Sequence, residues 1–302
     1  MDDTELLGLL APVLAADAGT ASSAGFAVVR QSRRNRSIVY FVGLLGSDVP
    51  RWVVKVPSTA RVQHDLTSPL AAETQFAVME RLHTDLGRGS VRTPRPVAYV
   101  PELDAVVTEF VDGSTVAAVV SEGLVRRSQV APALEAAATT LRALHELSPV
   151  EDVEVDLAGV EREAIGAART HLQVESLPIK ESWFRPAGTS SRLVVGRRVV
   201  LHGDFVPENV LLTTDSSYCL DPDLTHRDWA EQDVARFVVM LCDAPLFVTA
   251  GVTPPVRALR RLAVTTFLTA YYGGQPASPL LRPLTLSLVA ARWRARHEDV
   301  SL

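Results

Sequence analysis

Long hydrophobic runs are missing from this 302-residue chain. No stretch reaches the roughly 18 uncharged apolar residues of a membrane-spanning helix. The most apolar late stretch, Phe237 to Val252, contains Asp243 and Pro245. Basic charge is also short. Thirty Lys and Arg against 35 Asp and Glu leave a net charge of -5, with no basic footprint for nucleic acid. Cysteine is scarce. Cys219 and Cys242 sit in apolar contexts and read as buried thiols, which points to a reducing, cytoplasmic protein. The acidic start (Asp2, Asp3, Glu5) lacks the positive region of a signal peptide. Only two lysines occur, Lys55 and Lys180. With abundant Ala, Val, Leu and Arg, that is the composition of a GC-rich bacterial genome. The seven histidines do not fall at metal-ligand spacing, and there is no internal repeat.

What remains is ordinary globular material, 47% hydrophobic and 22% charged, long enough for one large domain or two lobes. Asp3 to Ala16 reads as a leading helix. Gly25 to Arg30, Ser37 to Leu45 and Arg51 to Val56 read as three strands separated by turn residues. A helix is predicted from Thr67-Ser68-Pro69 to Leu86, with a stripe at Leu70, Phe76, Met79 and Leu82. Pro96 to Val100 and Asp104 to Phe110 add two strands. After Val111-Asp112-Gly113-Ser114 the pattern turns helical. Gln129 to Leu147 carries Val130, Leu134, Ala137, Ala138, Leu141, Leu144 and His145 on one face. Glu161 to Val174 is a further predicted helix and Pro178 to Arg192 reads as loop. Trp229 to Leu241, Pro255 to Tyr272 and Pro279 to Glu298 read as helices.

The chemistry concentrates between Val199 and Asp223. An apolar run (Val199, Val200, Leu201) delivers His202-Gly203-Asp204, and Asn209 follows five residues after Asp204. A second run (Val210, Leu211, Leu212), a polar turn and a short strand (Tyr218, Cys219, Leu220) then lead to Asp221. Phosphorylating a hydroxyl needs one carboxylate to orient the acceptor and take its proton. It also needs a carboxylate and an amide oxygen to hold Mg²⁺ against nucleotide phosphates. Asp204 fits the first role, and Asn209 with Asp221 fits the second. A single Asp or Asn here would be a turn residue. The joint spacing between two strands argues against a plain hairpin.

HGDFVPEN, residues 202–209, resembles the catalytic loop of the aminoglycoside phosphotransferase superfamily, the small-molecule kinases that share the protein-kinase fold. Gly203 stands where protein kinases usually carry Arg, and LDPD (residues 220–223) departs from their D-F-G. The resemblance implies an α+β, bilobal protein-kinase-like fold. It has a five-stranded N-lobe with one helix over residues 1–110, a hinge at 111–114 and a mostly helical C-lobe over 115–302. It implies γ-phosphate transfer from ATP or GTP, with Mg²⁺, to a hydroxyl of a small acceptor such as an aminoglycoside, sugar or amino alcohol. A nucleotide-binding pseudokinase and an atypical protein kinase are the rival readings.

The superfamily's roles map onto matching positions. Lys55, on the third strand, would contact the α- and β-phosphates, braced by Glu73 on the following helix. The Glu109 carbonyl and the Val111 amide would bond the purine. The loop Gln31 to Ser37 has no glycine; Arg33 and Asn35 in it either clamp phosphate or form a solvated turn. Asp233 would bond the catalytic-loop backbone, and His202 would support that loop from behind. Asp223, Asp228, Trp229 and Glu231, with Trp183 and Phe184 from the long crossing, could face the acceptor, or be loop residues and a core Trp.

Overall fold

The computed structural model describes residues 2–20, 25–33, 37–57, 71–87, 89–171, 192–244, 246–247 and 253–298. It divides into two compact units: Met1–Gly113 with Tyr218–Pro222, and Ser114–Ser217 with Asp223–Leu302.

The first unit opens with helix α1 (Asp3–Ala18) and three strands, β1 (Phe26–Arg33), β2 (Ser37–Leu44) and β3 (Trp52–Pro57). Helix α2 (Ala72–Leu86) follows, then β4 (Val91–Arg92), β5 (Pro96–Val100) and β6 (Ala105–Glu109). The main sheet has the order β1-β2-β3-β6-β5, with every neighbour antiparallel. This is the five-stranded sheet with one inserted helix that the sequence predicted. The predicted start of that helix, 67–70, lies outside the described residues.

Alternation along β6 divides the two faces of the sheet. Ala105 and Val107 join a core with Leu6, Leu10 and Leu14 of α1, while Val106 packs with Ala72, Met79 and Phe76 of α2. Successive strand residues point to opposite faces, so α1 and α2 cover opposite sides. The Leu6, Leu10, Leu14 spacing is one stripe of α1, and all three are fully buried. Asp2 caps this helix by accepting the Glu5 amide at 2.8 Å, and Gly19 ends it in the left-handed region at φ 64°. A polar clamp fixes its last turn. Asp17 accepts the indole N–H of fully buried Trp52 at 2.9 Å and a forked pair from Arg95 at 2.7 and 3.1 Å. The Arg95 hydrogen bond holds the Asp17 carboxyl below its usual range against the opposing effect of burial.

The second unit starts with β7 (Ser114–Thr115), α3 (Val116–Ser121) and α4 (Arg127–Glu146). It continues with β8 (Glu151–Asp156), α5 (Leu157–His171), β9 (Leu193–Val200) and β10 (Val210–Leu212). Strand β11 (Ser217–Cys219) carries the chain into the first unit's short segment. The second unit then resumes with β12 (Arg227–Trp229), α6 (Glu231–Cys242), α7 (Pro254–Tyr271) and α8 (Leu281–Glu298). The predicted stripe of α4 is buried throughout, from Val130 to His145. Helix α7 packs on α4, and α8 packs on α5 and α6. A ladder of rings runs through this core: His202 edge-on to Phe205 at 5.3 Å, Phe205 to Phe237 at 5.4 Å, Phe237 stacked on Phe267, and Phe267 near Tyr271.

The crossing after α4 differs from expectation. It holds two strands besides its helix. β8 and β9 pair antiparallel from Glu151↔Arg198 to Asp156↔Leu193, and β12 joins the other edge of β9. The helix is Leu157–His171, four residues earlier in its start than expected. The predicted loop 178–191, with Trp183 and Phe184, lies outside the described residues. Among the described residues no helix is long and apolar enough to cross a membrane.

Candidate active site

In the second unit the chain enters the loop 202–209 from β9. The hydrogen bonds there converge on Asp233, in the first turn of α6. One carboxylate oxygen accepts the His202 amide at 2.7 Å, and the other accepts the Gly203 amide at 3.1 Å. His202 is fully buried, and its Nδ1 accepts the Asp204 amide at 3.2 Å. Gly203 takes φ 82°, and a Cβ there would stand 3.0 Å from the Cβ of Asp223. Both the dihedral and the close approach favour glycine over the Arg of protein kinases. Asp223 is tied in by its own amide to the His202 carbonyl at 2.9 Å.

These restraints carry Asp204 to the surface. Its side chain is 59% exposed. Asn209 Nδ2 donates to the Asp204 carbonyl at 2.9 Å and to its carboxylate at 3.3 Å, closing the five-residue loop. Arg236 of α6 reaches the other carboxylate oxygen at 3.4 Å. The sequence reading missed Arg236. It sits one helical turn beyond Asp233 and so shares its face. The amide nitrogen of Asn209 is occupied, so its carbonyl oxygen is the atom left for a hard cation.

In the first unit Lys55 Nζ lies 2.8 Å from Asp221 Oδ1. Gln75 of α2 donates to the same oxygen at 3.2 Å. Asp221 adopts the left-handed region at φ 53°, which a non-glycine residue occupies only when its surroundings hold it there. Its Oδ2 makes no hydrogen bond among the described residues, and the side chain is 43% exposed. Glu73 is exposed on the first turn of α2, and no Lys55–Glu73 ion pair exists among the described residues. The residue of α2 that reaches this cluster is Gln75. Two residues advance a helix by about 200°, so Glu73 and Gln75 face nearly opposite ways. Removing Gln75 and Lys55 together should therefore be non-additive by on the order of 1 kcal/mol, while Glu73→Ala adds independently. A double-mutant cycle on the nucleotide-induced melting shift decides this. Coupling of Lys55 to Glu73 instead would restore the original pairing.

The other expected residues fall as follows. Val111 is a half-buried residue after β6, and its amide makes no backbone hydrogen bond among the described residues. The Glu109 amide bonds the Arg95 carbonyl, and its carboxylate accepts the Arg95 amide, which fixes the strand just before Val111. Arg33 is exposed at the end of β1, and Asn35 lies outside the described residues. Asp228 is engaged by the Trp229 amide at 2.8 Å and by Gln232 at 2.7 Å. Trp229 packs against Val155, Leu157 and Leu280, and its ring fills the space over Gly196. Trp229 is partly buried there. Glu231 is buried, with Oε2 lacking a hydrogen-bond partner.

A five-stranded antiparallel sheet with one inserted helix, a helical region, and a glycine-bent loop presenting one carboxylate define a kinase-like phosphotransferase. Residues 28–263 match the model of the phosphotransferase enzyme family, and the chain belongs to it. No curated protein matches the chain. Solved structures share the fold. A glucosamine kinase in complex with glucosamine, ADP and inorganic phosphate aligns at a TM-score of 0.54 and 19% identity, over 97% of this chain and 79% of that one. A choline kinase from Cryptosporidium parvum Iowa II aligns at 0.50 and 14% identity, over 99% and 95%.

Proposed function

We propose that the protein transfers the γ-phosphoryl group of ATP or GTP to a hydroxyl of a small molecule. The observation that carries this reading is Asp204: an exposed carboxylate on a loop whose His202 and Gly203 amides are held by buried Asp233, with Asn209 closing that loop. The acceptor O–H donates to Asp204, and its oxygen attacks the γ-phosphorus. The bond from that phosphorus to the β–γ bridging oxygen breaks, the proton goes to Asp204, and the nucleoside diphosphate leaves. Arg236 and Asn209 hold the carboxylate rotamer, which reduces the reorganisation needed at the moment of transfer.

Lys55 would pair the α- and β-phosphates. The Val111 amide and the Glu109 carbonyl would take the purine edge. Asp221, through Oδ2, would be a ligand suited to Mg²⁺, which keeps several waters and takes one or two carboxylates beside the phosphates, and the family pattern would make Asn209 Oδ1 a ligand too. When bound, the ion neutralises charge developing on the phosphoryl oxygens.

The relatives that share the fold act, by their names, on an amino sugar and an amino alcohol. The test is a panel of sugars, amino alcohols, aminoglycosides and macrolides, assayed with ATP and with GTP for nucleoside-diphosphate release. Turnover on at least one small hydroxyl compound is expected. Efficient phosphorylation of peptides alone would make it an atypical protein kinase. Magnesium-dependent nucleotide binding with no turnover on any acceptor would make it a pseudokinase.

A further inference from the structure

Asp233 is held from behind as well as holding the loop in front. The oxygen that accepts the His202 amide also lies 3.1 Å from Nε2 of His145 on α4, and Nδ1 of His145 lies 2.8 Å from the hydroxyl of Tyr271 on α7. Successive members of this chain of four, Tyr271, His145, Asp233 and His202, are 126, 88 and 31 positions apart. Asp233 is 1% exposed, His145 2% and Tyr271 7%.

The donors can be assigned in sequence. A carboxylate only accepts, so Nε2 of His145 carries the hydrogen toward Asp233. The Tyr271 hydroxyl has no other partner among the described residues, and a buried O–H needs an acceptor. Nδ1 of His145 is that acceptor, so the imidazole is the neutral Nε2–H tautomer. Burial pushes the Tyr271 hydroxyl well above its ordinary range, which keeps it a donor.

We propose that Tyr271 and His145 are positioning residues for phosphoryl transfer. They fix the tilt of the Asp233 carboxylate so that both its oxygens receive the His202 and Gly203 amides, and Asp204 is aimed by that grip. Without this back-support Asp233 can turn about its terminal torsion, and one of the two loop amides loses its acceptor. Three helices distant in sequence thus meet behind the one loop that presents the reacting carboxylate. The link to catalysis rests on Asp204 being the base; the link to the loop's order does not.

The test uses Tyr271→Phe, which removes one oxygen and keeps the ring, together with His145→Gln and His145→Leu. In Tyr271→Phe, amide hydrogen exchange should quicken at His202 and Gly203 while the middle of α4 stays protected. The Nε2–H tautomer, visible as an unprotonated Nδ1 in ¹⁵N spectra of the wild type, should give way to a mixture. With a turned-over acceptor, kcat should fall by about 10- to 100-fold with nucleotide KM unchanged, the scale seen when a supporting hydrogen bond behind a reacting group is lost. His145→Gln, which keeps a donor toward Asp233, should retain more kcat than His145→Leu. A lowered melting temperature in all three variants, with His202 and Gly203 exchange and kcat as in wild type, would overturn the proposal. If Tyr271→Phe does not fold, the comparison of Gln with Leu at 145 decides. Exchange needs no acceptor, so a wild type inactive on every compound would sink the kinase reading while the amides still judge the positioning chain.

Discussion

Replacing Asp204 by Ala lowers kcat by about 10²- to 10⁴-fold, the range a positioned general base contributes. Nucleotide affinity stays near wild type, because no phosphate-binding role is assigned to this carboxylate. Asp204→Asn should lose nearly as much. The amide preserves shape and can still meet Asn209, but it cannot take a proton at neutral pH. Its melting temperature should match wild type, since the native side chain is mostly solvated and its ion pair with Arg236 at 3.4 Å is a surface one. Near-normal turnover in the Ala variant would remove Asp204 as the base, and with it the main support for the transfer reading. The KM against kcat split matters here: a rise in nucleotide KM with kcat intact would mean that Asp204 contributes ground-state binding instead.

Asp221→Ala should abolish the part of nucleotide stabilisation that depends on magnesium. A ligand at a hundredfold excess over its Kd stabilises by about 2.7 kcal/mol, so the missing shift is well within reach of a melting scan. The variant also strips Lys55 and Gln75 of their shared acceptor, so Asp221→Asn is the sharper probe. Its carbonyl oxygen can still accept from both donors, whereas the charge that attracts a divalent cation is gone. The expected order is wild type with a magnesium-dependent shift, Asn with a weak one, and Ala with none. An unchanged shift in both variants would refute the metal assignment.

Much of this was legible because it is local. Helix α4 announces itself through seven positions on one face, and the strands β1 to β3, β5 and β6 through short apolar runs bounded by turn residues. The closed turn of the 202–209 loop was legible because Asp204 and Asn209 are five residues apart and bond each other. What the sequence hid is non-local. Gln75 and Asp221 are 146 positions apart, and nothing within α2 says which of its faces meets that carboxylate. Glu73 was expected from the family pattern, and the helical phase turned it outward. His145 was correctly placed on a buried face, but its partners lie on two other helices. The β8–β9–β12 sheet escaped for another reason. β8 reads Glu-Asp-Val-Glu-Val-Asp, wholly acidic on one face with Glu151, Val153 and Val155 on the other, and β12 is three residues long. Such strands are stabilised by their partners rather than by intrinsic preference.

The Lys55–Asp221 ion pair has a practical consequence. Lys55 is one of only two lysines in the chain, so a primary side-chain amine is a rare chemical tag here. Its ammonium, 30% exposed and tied to Asp221 at 2.8 Å, sits where the nucleotide phosphates are proposed to bind. Reductive methylation with a ¹³C-enriched reagent would place isotopic methyl groups on Lys55 and Lys180 alone among the side chains, while keeping the charge of both. The resulting spectrum would follow occupancy of a single ion pair in a 32.7 kDa protein with almost no competing signal.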